Sequence, residues 1–153
     1  MANTYTQIYI QVVFAVEGRQ NLISPQHKEE LQKYITGIVS GAGQKLLAIH
    51  CMPDHTHVLM GLKPDLALSD LVRDLKTGAS NFINRSRWMV GRFHWQEGFG
   101  AFSYSHSQLT PVIRYIQNQV RHHRRSTFRE EYLEFLKKFE VSHDERYLFE
   151  DAI

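Results

Sequence analysis

The sequence predicts an α+β domain, built as a ferredoxin-like or RRM-like four-stranded antiparallel sheet with helices on one face and a further helix after the sheet. Two observations indicate this fold class. Segments with strand and helix periodicity alternate in the order strand, helix, strand, strand, helix, strand. In addition, the 153 residues, of which 42% are hydrophobic, suffice for one compact core. We therefore expect one domain over 1–153, with a core at about 3–105, a third helix at about 109–125 and a C-terminal amphipathic segment at about 128–153.

The first half of the chain contains three predicted strands and one helix. Residues 5–16 are rich in aromatic and β-branched side chains, which are typical of a strand. Ser24-Pro25 supplies a cap and a first-turn proline for a helix whose apolar residues recur every three or four positions. Two apolar runs, 45–52 and 55–62, follow, and the Pro-Asp pair between them favours a tight turn.

The second half contains one more strand and three helical segments. A helix is predicted over 69–85, because its apolar residues form one stripe and its polar face is basic. The aromatic segment 93–105 predicts a fourth strand, with a bulge or close backbone approach at Gly98 or Gly100. A Thr-Pro pair then opens the third helix, and residues 128–139 place apolar side chains at helical spacing.

Charge is distributed unevenly along the chain. The formal net charge of +2 does not by itself select a class of partner. Residues 114–129, however, carry five arginines and two histidines without an acidic residue, whereas the tail after them is mostly acidic. This basic block is a candidate phosphate-binding surface, although a solvated helical face would explain it equally well.

The N-terminal segment, the lengths of the apolar runs and the cysteine content argue against a secreted, membrane-spanning or disulfide-linked protein. The N-terminal segment lacks the basic leader of a signal peptide, and no run approaches the roughly 18 apolar residues of a membrane span, so we expect a cytoplasmic protein without a membrane segment. Cys51 is the only cysteine, so it cannot form an intramolecular disulfide. We expect it to be a small buried apolar side chain.

Two histidines open the third predicted strand. Because side chains alternate across a strand, His55 and His57 project from one face and Thr56 from the other. The two imidazoles would be close enough to bind one metal ion. Taken alone, the pair is more typical of structural or surface histidines than of a metal site, so other residues must complete such a site.

The third helix carries two separate stripes on a helical wheel. Tyr115, Gln119 and His122 form one stripe at i, i+4 and i+7, displaced from the apolar face by about 120°. Tyrosines on helices are most often packed amphipathic rings, but Gln119 offers a neutral oxygen one turn away. The apolar face contains Leu109, Val112, Ile113, Ile116 and Val120.

Three linked motifs covering nearly the whole chain carry a resemblance to a known family. They are MPDHTHVL at 52–59, WQEGFGAFS at 95–103, and YIQNQ at 115–119 followed by the histidine and arginine cluster. In this order they resemble the single-tyrosine transposases of the smallest bacterial insertion sequences, members of the His-hydrophobic-His endonuclease superfamily. Thr56 departs from the pattern, where the family has a bulky apolar residue. Because Thr56 points away from the histidines, we expect it to affect packing more than chemistry.

The resemblance implies a chemistry for specific residues. It implies that His55 and His57 bind a divalent ion, that Gln119 completes the protein ligands, and that Tyr115, on the catalytic helix, is the nucleophile that joins a 5′ phosphate. Its implied substrate is single-stranded DNA with imperfect hairpins. It also implies a homodimer with shared active sites, in which the histidines of one chain face the tyrosine of the other.

Further predictions concern the identity of the metal ion, the general base and the residues that contact DNA. A site completed by an amide, water and phosphate oxygens favours Mg²⁺ or Mn²⁺ at cellular abundance. Two histidines, His106 and His122, are possible general bases, but each is better explained as a surface or phosphate-contacting side chain. Four basic residues are predicted to contact DNA phosphates: Arg73, Lys76, Arg121 and Arg124.

Two other functions fit parts of the sequence. A noncatalytic or domesticated protein of this fold could bind single-stranded nucleic acid without needing Tyr115. A zinc hydrolase would use the histidine pair, but the sequence has no HExxH helix and no carboxylate at an evident ligand spacing.

Overall fold

The computed structural model describes residues 3–144. Residues 145–153 of the predicted C-terminal segment lie outside the described residues. No helix within the described range is long and apolar enough to span a membrane. The elements in chain order are β1 (Tyr9–Ala15), α1 (Lys28–Gly41), β2 (Lys45–Cys51), β3 (His55–Gly61), α2 (Leu68–Ser86), β4 (Gly100–Tyr104), α3 (Leu109–Gln117), α4 (Gln119–His122) and α5 (Phe128–Lys138).

The four strands form one antiparallel sheet in the order β2-β3-β1-β4. This is the order of a ferredoxin-like sheet, so the predicted fold class is confirmed. β3 lies in the interior of the sheet between β2 and β1, and its register pairs His55 with Ala15 and His57 with Val13. The histidine pair therefore begins an interior strand rather than a sheet edge.

The two faces of the sheet are covered by different helices. Apolar residues of α1 and α2 pack on the face that carries Val58 and Met60. Ile116 of α3 and two residues of α5, Phe128 and Leu136, pack on the other face with Leu59. Because side chains alternate along β3, His55 and His57 share the face of Leu59 and lie beneath α3 to α5.

Three elements differ from the sequence prediction. α1 begins at Lys28 with His27 as its N-cap, a few residues after the Ser24-Pro25 pair that was predicted to open it. The helix expected at about 109–125 breaks at Asn118, whose φ of −95° and ψ of 20° are not helical, and continues as α4. The break changes the direction of the following side chains, so Val120, predicted on the apolar face, is 44% exposed. β4 is shorter than expected, and the residues before it are irregular except for a bridge from Trp95 to Val16.

Two smaller predictions agree with the structure. Cys51 is buried in the core, as expected for its small apolar side chain. Gly98 has a positive φ of 83°, and Gly100 packs directly against the ring of Tyr132. The glycines of this segment therefore serve a turn and a close approach, respectively.

Candidate active site

His55 and His57 lie side by side under the C-terminal helices. Their side chains are 1% and 0% exposed, and their ring centroids are 5.1 Å apart. The ring of Phe128, at the start of α5, stacks on His55 with centroids 4.0 Å apart. The start of α5 thus closes this pair from solvent.

A third imidazole, that of His123, joins the pair. Its ring centroid is 4.7 Å from that of His55. In all three histidines Nδ1 contacts a hydrogen-bond acceptor, which orients the ring and turns Nε2 toward a common centre. The three Nδ1 contacts are His55 to Asp54 Oδ1 at 2.7 Å, His57 to Gln11 Oε1 at 2.7 Å, and His123 to the Ser126 carbonyl oxygen at 2.9 Å.

The carboxylate of Glu131 occupies this centre. Its Oε1 lies 2.9 Å from His57 Nε2, 3.2 Å from His123 Nε2 and 3.6 Å from His55 Nε2. Glu131 is carried by the first turn of α5 and is 1% exposed. One carboxylate oxygen therefore faces all three imidazoles.

The other carboxylate oxygen faces α3 and α4. The Tyr115 hydroxyl donates a short hydrogen bond to Glu131 Oε2, and His122 Nε2 lies 3.2 Å from the same hydroxyl. Gln119 Nε2 donates to Oε2 at 3.2 Å, while its Oε1 lies 2.9 Å from His123 Nε2. The break after α3 turns Gln119 inward, and this side chain is fully buried.

Burial and charge set the protonation of these groups. Burial lowers the pKa of His55. Burial by itself would raise the pKa of Glu131, but contacts with His123 and His57 outweigh it and hold this pKa well below its usual range. Burial, followed by the charge of Glu131, raises the pKa of the Tyr115 hydroxyl, so the phenol is protonated at neutral pH.

The donor set fits a divalent metal ion. One ligand atom from each of His55, His57, His123 and Glu131 lies within 4.8 Å of the other three. Imidazole and carboxylate are ligands of Mn²⁺ and later transition ions, and the carboxylate is also a ligand of Mg²⁺. The Nδ1 contacts supply the outer partners that metal-bound histidines ordinarily have.

A cleft opens beside the tyrosine, between α3 and α5. Its volume is about 230 Å³. Tyr115 is half-buried at its wall, so the ring is accessible from this side although its hydroxyl is hydrogen-bonded. The lining residues are Tyr104, Pro111, Val112, Tyr115, Glu131, Glu134, Phe135 and Lys138.

The residues predicted to contact DNA lie in two separate groups. Arg73 is 67% exposed on α2 and pairs with Asp70 at 3.3 Å and Asp74 at 3.5 Å. Lys76 donates to two backbone carbonyl oxygens in the segment before β4. Arg121 and Arg124 are exposed at α4 and just after it, near the histidine cluster.

α2 and α4 lie on different sides of the sheet, so these four residues do not form one continuous surface. Only Arg121 and Arg124 are on the side of the histidine cluster.

The structure brings together the four predicted site residues, His55, His57, Tyr115 and Gln119, within one chain. The sequence led us to expect that a partner chain would supply the tyrosine, whereas here Tyr115 lies beside its own histidines, with a ring centroid 6.3 Å from that of His57. Of the two possible bases, His122 contacts Tyr115, whereas His106 packs near Tyr9 instead.

His123 and Glu131 were not among the predicted site residues. Glu131 is not at a ligand spacing from the histidines in the sequence, and it reaches them only because α5 folds back and inserts it among them. One signal was available. At about 100° per residue, Glu131 lies about 60° from Phe128 and 40° from Phe135, so a carboxylate borders the apolar stripe of an amphipathic helix. An acidic residue in that position is buried and needs a partner.

The fold and the site define an α+β domain in which a helix presents a tyrosine to a buried cluster able to hold a metal ion. The model of the family described as "Transposase IS200 like" matches residues 4–119. The chain belongs to this family, as the three motifs predicted. Membership implies a DNA-cleaving enzyme.

Individual relatives are distant in sequence. The ISDra2 transposase TnpA of Deinococcus radiodurans is 20% identical over 118 residues, which cover 74% of this chain and 84% of the relative. A solved transposase structure from Deinococcus radiodurans R1 has a TM-score of 0.62 at 21% identity, covering 78% of this chain and 95% of that one.

A second solved structure is a REP-associated tyrosine transposase bound to a REP hairpin. Its TM-score is 0.58 at 17% identity, covering 80% of this chain and 73% of that one. At these identities the structural likeness supports the fold.

Proposed function

We propose that this chain cleaves and rejoins single-stranded DNA through a covalent link between Tyr115 and a 5′ phosphate. The observation that carries the proposal is the position of the Tyr115 hydroxyl, which is hydrogen-bonded to a carboxylate whose other oxygen contacts His57 and His123. A nucleophile held against a buried cluster that fits a metal ion is the arrangement that phosphoryl transfer by a tyrosine needs.

The chemical step exchanges one phosphodiester for another. Tyr115 Oη forms a bond to phosphorus while the bond from phosphorus to the 3′ oxygen breaks, and the leaving 3′ oxygen takes up a proton. The phenol proton has two acceptors in contact, Glu131 Oε2 and His122 Nε2. Rejoining reverses the step, because a 3′ hydroxyl attacks the phosphotyrosine and restores the phenol. The bond energy is conserved in the link, so no nucleotide triphosphate is required.

His55, His57 and Gln119 would hold the ion, Mg²⁺ or Mn²⁺, as the resemblance implies. Their Nε2 and Oε1 atoms converge in a buried space, which supports this assignment. When bound, the ion supplies a positive charge that polarises the scissile phosphate and stabilises the charge that develops in the transition state. Asp54 and Gln11 keep the two imidazoles of β3 in the required orientation through Nδ1.

We further propose that the substrate is a single strand that carries an imperfect hairpin. A relative of the same fold is described as bound to a REP hairpin, which supports this class of substrate. Arg121 and Arg124 are exposed beside the cluster and are suited to bind phosphates near Tyr115. Arg73 and Lys76 stay predictions for more distant contacts.

Assembly into a homodimer also stays a prediction, with shared active sites as the alternative to a site formed within one chain. It was motivated by an apolar face on the third helix that required a cover, which either chain could supply. In this structure the face packs on the sheet of its own chain, where Ile116 is fully buried. The within-chain site is therefore the arrangement that the geometry supports.

The test is the formation of a covalent adduct. Purified protein is incubated with labelled single-stranded DNA from the ends of its own element and Mn²⁺, and the products are separated under denaturing conditions. We expect the wild type to shift labelled DNA into the protein band and Tyr115→Phe to abolish the shift, because only the nucleophilic oxygen is removed.

The matched control is Tyr34→Phe, which removes a hydroxyl from a ring stacked on Phe82 on the opposite face of the sheet. It should form adduct at the wild-type yield. Excess chelator should silence the wild type until Mg²⁺ or Mn²⁺ is restored. Hairpin binding without any adduct in the wild type would instead support the noncatalytic binding protein.

A further inference from the structure

We propose that His123 and Glu131 complete the metal site, with Glu131 binding the ion through Oε1 and holding the Tyr115 hydroxyl through Oε2. Both residues follow the stretch that the family model matches, which ends at residue 119. The metal site would then depend on the C-terminal helix of this chain. This inference rests on the proposed function only in its use of His55 and His57 as ligands.

The three imidazoles present their lone pairs toward one point. Each of the three histidines contacts an acceptor through Nδ1, so a neutral ring donates its hydrogen there and presents a lone pair at Nε2. All three Nε2 atoms face Oε1 of Glu131, which is also an acceptor. At the 2.9 Å and 3.2 Å separations of His57 and His123 from this oxygen, a proton or a metal ion must lie between nitrogen and oxygen. One divalent ion at the common point serves all four atoms, whereas protons would put several positive charges in one buried space.

The distances between the ligand atoms also fit a metal ion. Ligand atoms about 2.1 Å from an ion lie roughly 3.0–3.4 Å apart in neighbouring coordination positions of tetrahedral or octahedral sites. Glu131 Oε1 is 2.9 Å, 3.2 Å and 3.6 Å from the three nitrogens. These distances are close to those of neighbouring coordination positions, and all four ligand atoms lie within 4.8 Å of one another. To bind an ion at the common centre, Glu131 Oε1 would withdraw from that centre while the imidazoles stay around it.

The carboxylate of Glu131 is buried, which also favours a bound cation. Glu131 is 1% exposed, and a carboxylate removed from water requires a compensating positive charge. Within the described part of the chain, its ion-pair partners are all histidines. A divalent ion would supply that charge.

The two carboxylate oxygens of Glu131 contact different groups. Oε1 faces the imidazoles, while Oε2 accepts hydrogen bonds from Tyr115 and from the amide of Gln119. A bound ion and the nucleophile would thus share one rigid carboxylate. Glu131 is in this respect a positioning residue for Tyr115 as well as a ligand.

Metal affinity measured without DNA tests the proposal directly. Calorimetric titration of the full-length protein with Mn²⁺ alone compares wild type, Glu131→Gln, His123→Asn and His55→Ala. We expect each variant to bind Mn²⁺ about 10-fold or more weakly than wild type, since each loses a ligand. Glu130→Gln is the matched control, because it neutralises an exposed neighbour on the same helix and should leave affinity unchanged.

A melting series separates a ligand from a structural ion-pair partner. The melting temperature of each protein is measured in chelator and again with saturating Mn²⁺. If Glu131 and His123 are ligands, the variants lose most of the rise that Mn²⁺ gives the wild type. If they only stabilise the fold, the variants melt lower in chelator but keep the full rise, which would overturn the proposal. Where Glu131→Gln melts too low to titrate, His123→Asn carries the test, since His123 is partly exposed.

The outcomes distinguish this inference from the proposed function. If His55→Ala loses Mn²⁺ affinity while Glu131→Gln and His123→Asn bind as wild type, the two added ligands are wrong and the proposed function is unaffected. If all three variants lose affinity but wild type forms no DNA adduct, the metal site stands and the proposed function fails. Absence of Mn²⁺ binding by wild type would overturn the metal site itself.

Discussion

The packing of α5 against the sheet can be tested by adding one methyl group at position 100 through the substitution Gly100→Ala. Gly100 begins β4 and faces the ring of Tyr132 on α5. A Cβ at this position would lie 2.6 Å from Tyr132 Cε2 and 2.7 Å from its Oη, closer than side chains tolerate. Gly100→Ala must therefore displace the ring or lift α5.

The expected cost follows from the rigidity of the surroundings. The Tyr132 ring packs beside Phe128 with centroids 5.7 Å apart, and Phe102 Cε2 would be 3.1 Å from the new Cβ. We expect Gly100→Ala to lower the free energy of unfolding by about 2 kcal/mol, as for an overpacked core. Because Glu131 immediately precedes Tyr132, we also expect weaker Mn²⁺ binding.

Urea denaturation of a double-mutant cycle provides the assay. In a Tyr132→Leu background the clash disappears, so Gly100→Ala should cost about 0.5 kcal/mol or less. Gly37→Ala, on an exposed face of α1 with no atom near its Cβ, is the control and should stabilise by about 0.5–1 kcal/mol. An equal cost of Gly100→Ala in both backgrounds would refute the contact between α5 and β4.

Three further predictions concern pH, substrate and assembly. Burial, followed by the charge of Lys28, lowers the pKa of His50 to about 4, below the unfolded value of 6.5, so the unfolded chain takes up a proton first as pH falls. Between pH 6.5 and 4 the unfolding free energy should fall by about 1–2 kcal/mol more in wild type than in His50→Gln, and parallel curves would contradict this assignment. Gel-shift titrations should show a preference for single strands with a hairpin over plain duplex and a loss of affinity as salt rises, and equal affinity for duplex would exclude the proposed substrate. Coexpression of a His55→Ala/His57→Ala chain with a Tyr115→Phe chain should not restore cleavage, because Tyr115 lies beside its own histidines, whereas restored cleavage would establish the shared site implied by the resemblance.

Local periodicity was sufficient to predict most of the fold, whereas the roles of His55, His57, Gln119 and Tyr115 came from the resemblance of the motifs to the family. Alternation along one strand placed His55 and His57 on a common face, and both project from β3 as expected. The i, i+4 spacing of Tyr115 and Gln119 predicted that both side chains lie on one face of a continuous helix. Both side chains do approach the histidine cluster, but they do so from two helices, α3 and α4. The break at Asn118 rotates Gln119 into the interior, and a uniform helix cannot anticipate such a break.

The part of the site that was missed depends on contacts distant in sequence. Glu131 and His57 are separated by 74 positions, and their contact requires the chain to reverse between α4 and α5. No spacing rule for metal ligands covers that separation, so the carboxylate was recognisable only as an acidic residue beside an apolar stripe. The DNA contacts are equally nonlocal, because sequence proximity does not reveal that α2 and α4 lie on different sides of the sheet.

The proposed mechanism is tested most directly by locating the covalent bond. Adduct formed between wild-type protein and a labelled hairpin-containing single strand is digested with protease and nuclease, and the modified peptide is sequenced by mass spectrometry. We predict a nucleotide attached through its 5′ phosphate to Tyr115, with the complementary DNA product ending in a free 3′ hydroxyl. A nucleotide attached to another side chain, or cleavage that leaves no covalent peptide at any time point, would contradict the mechanism.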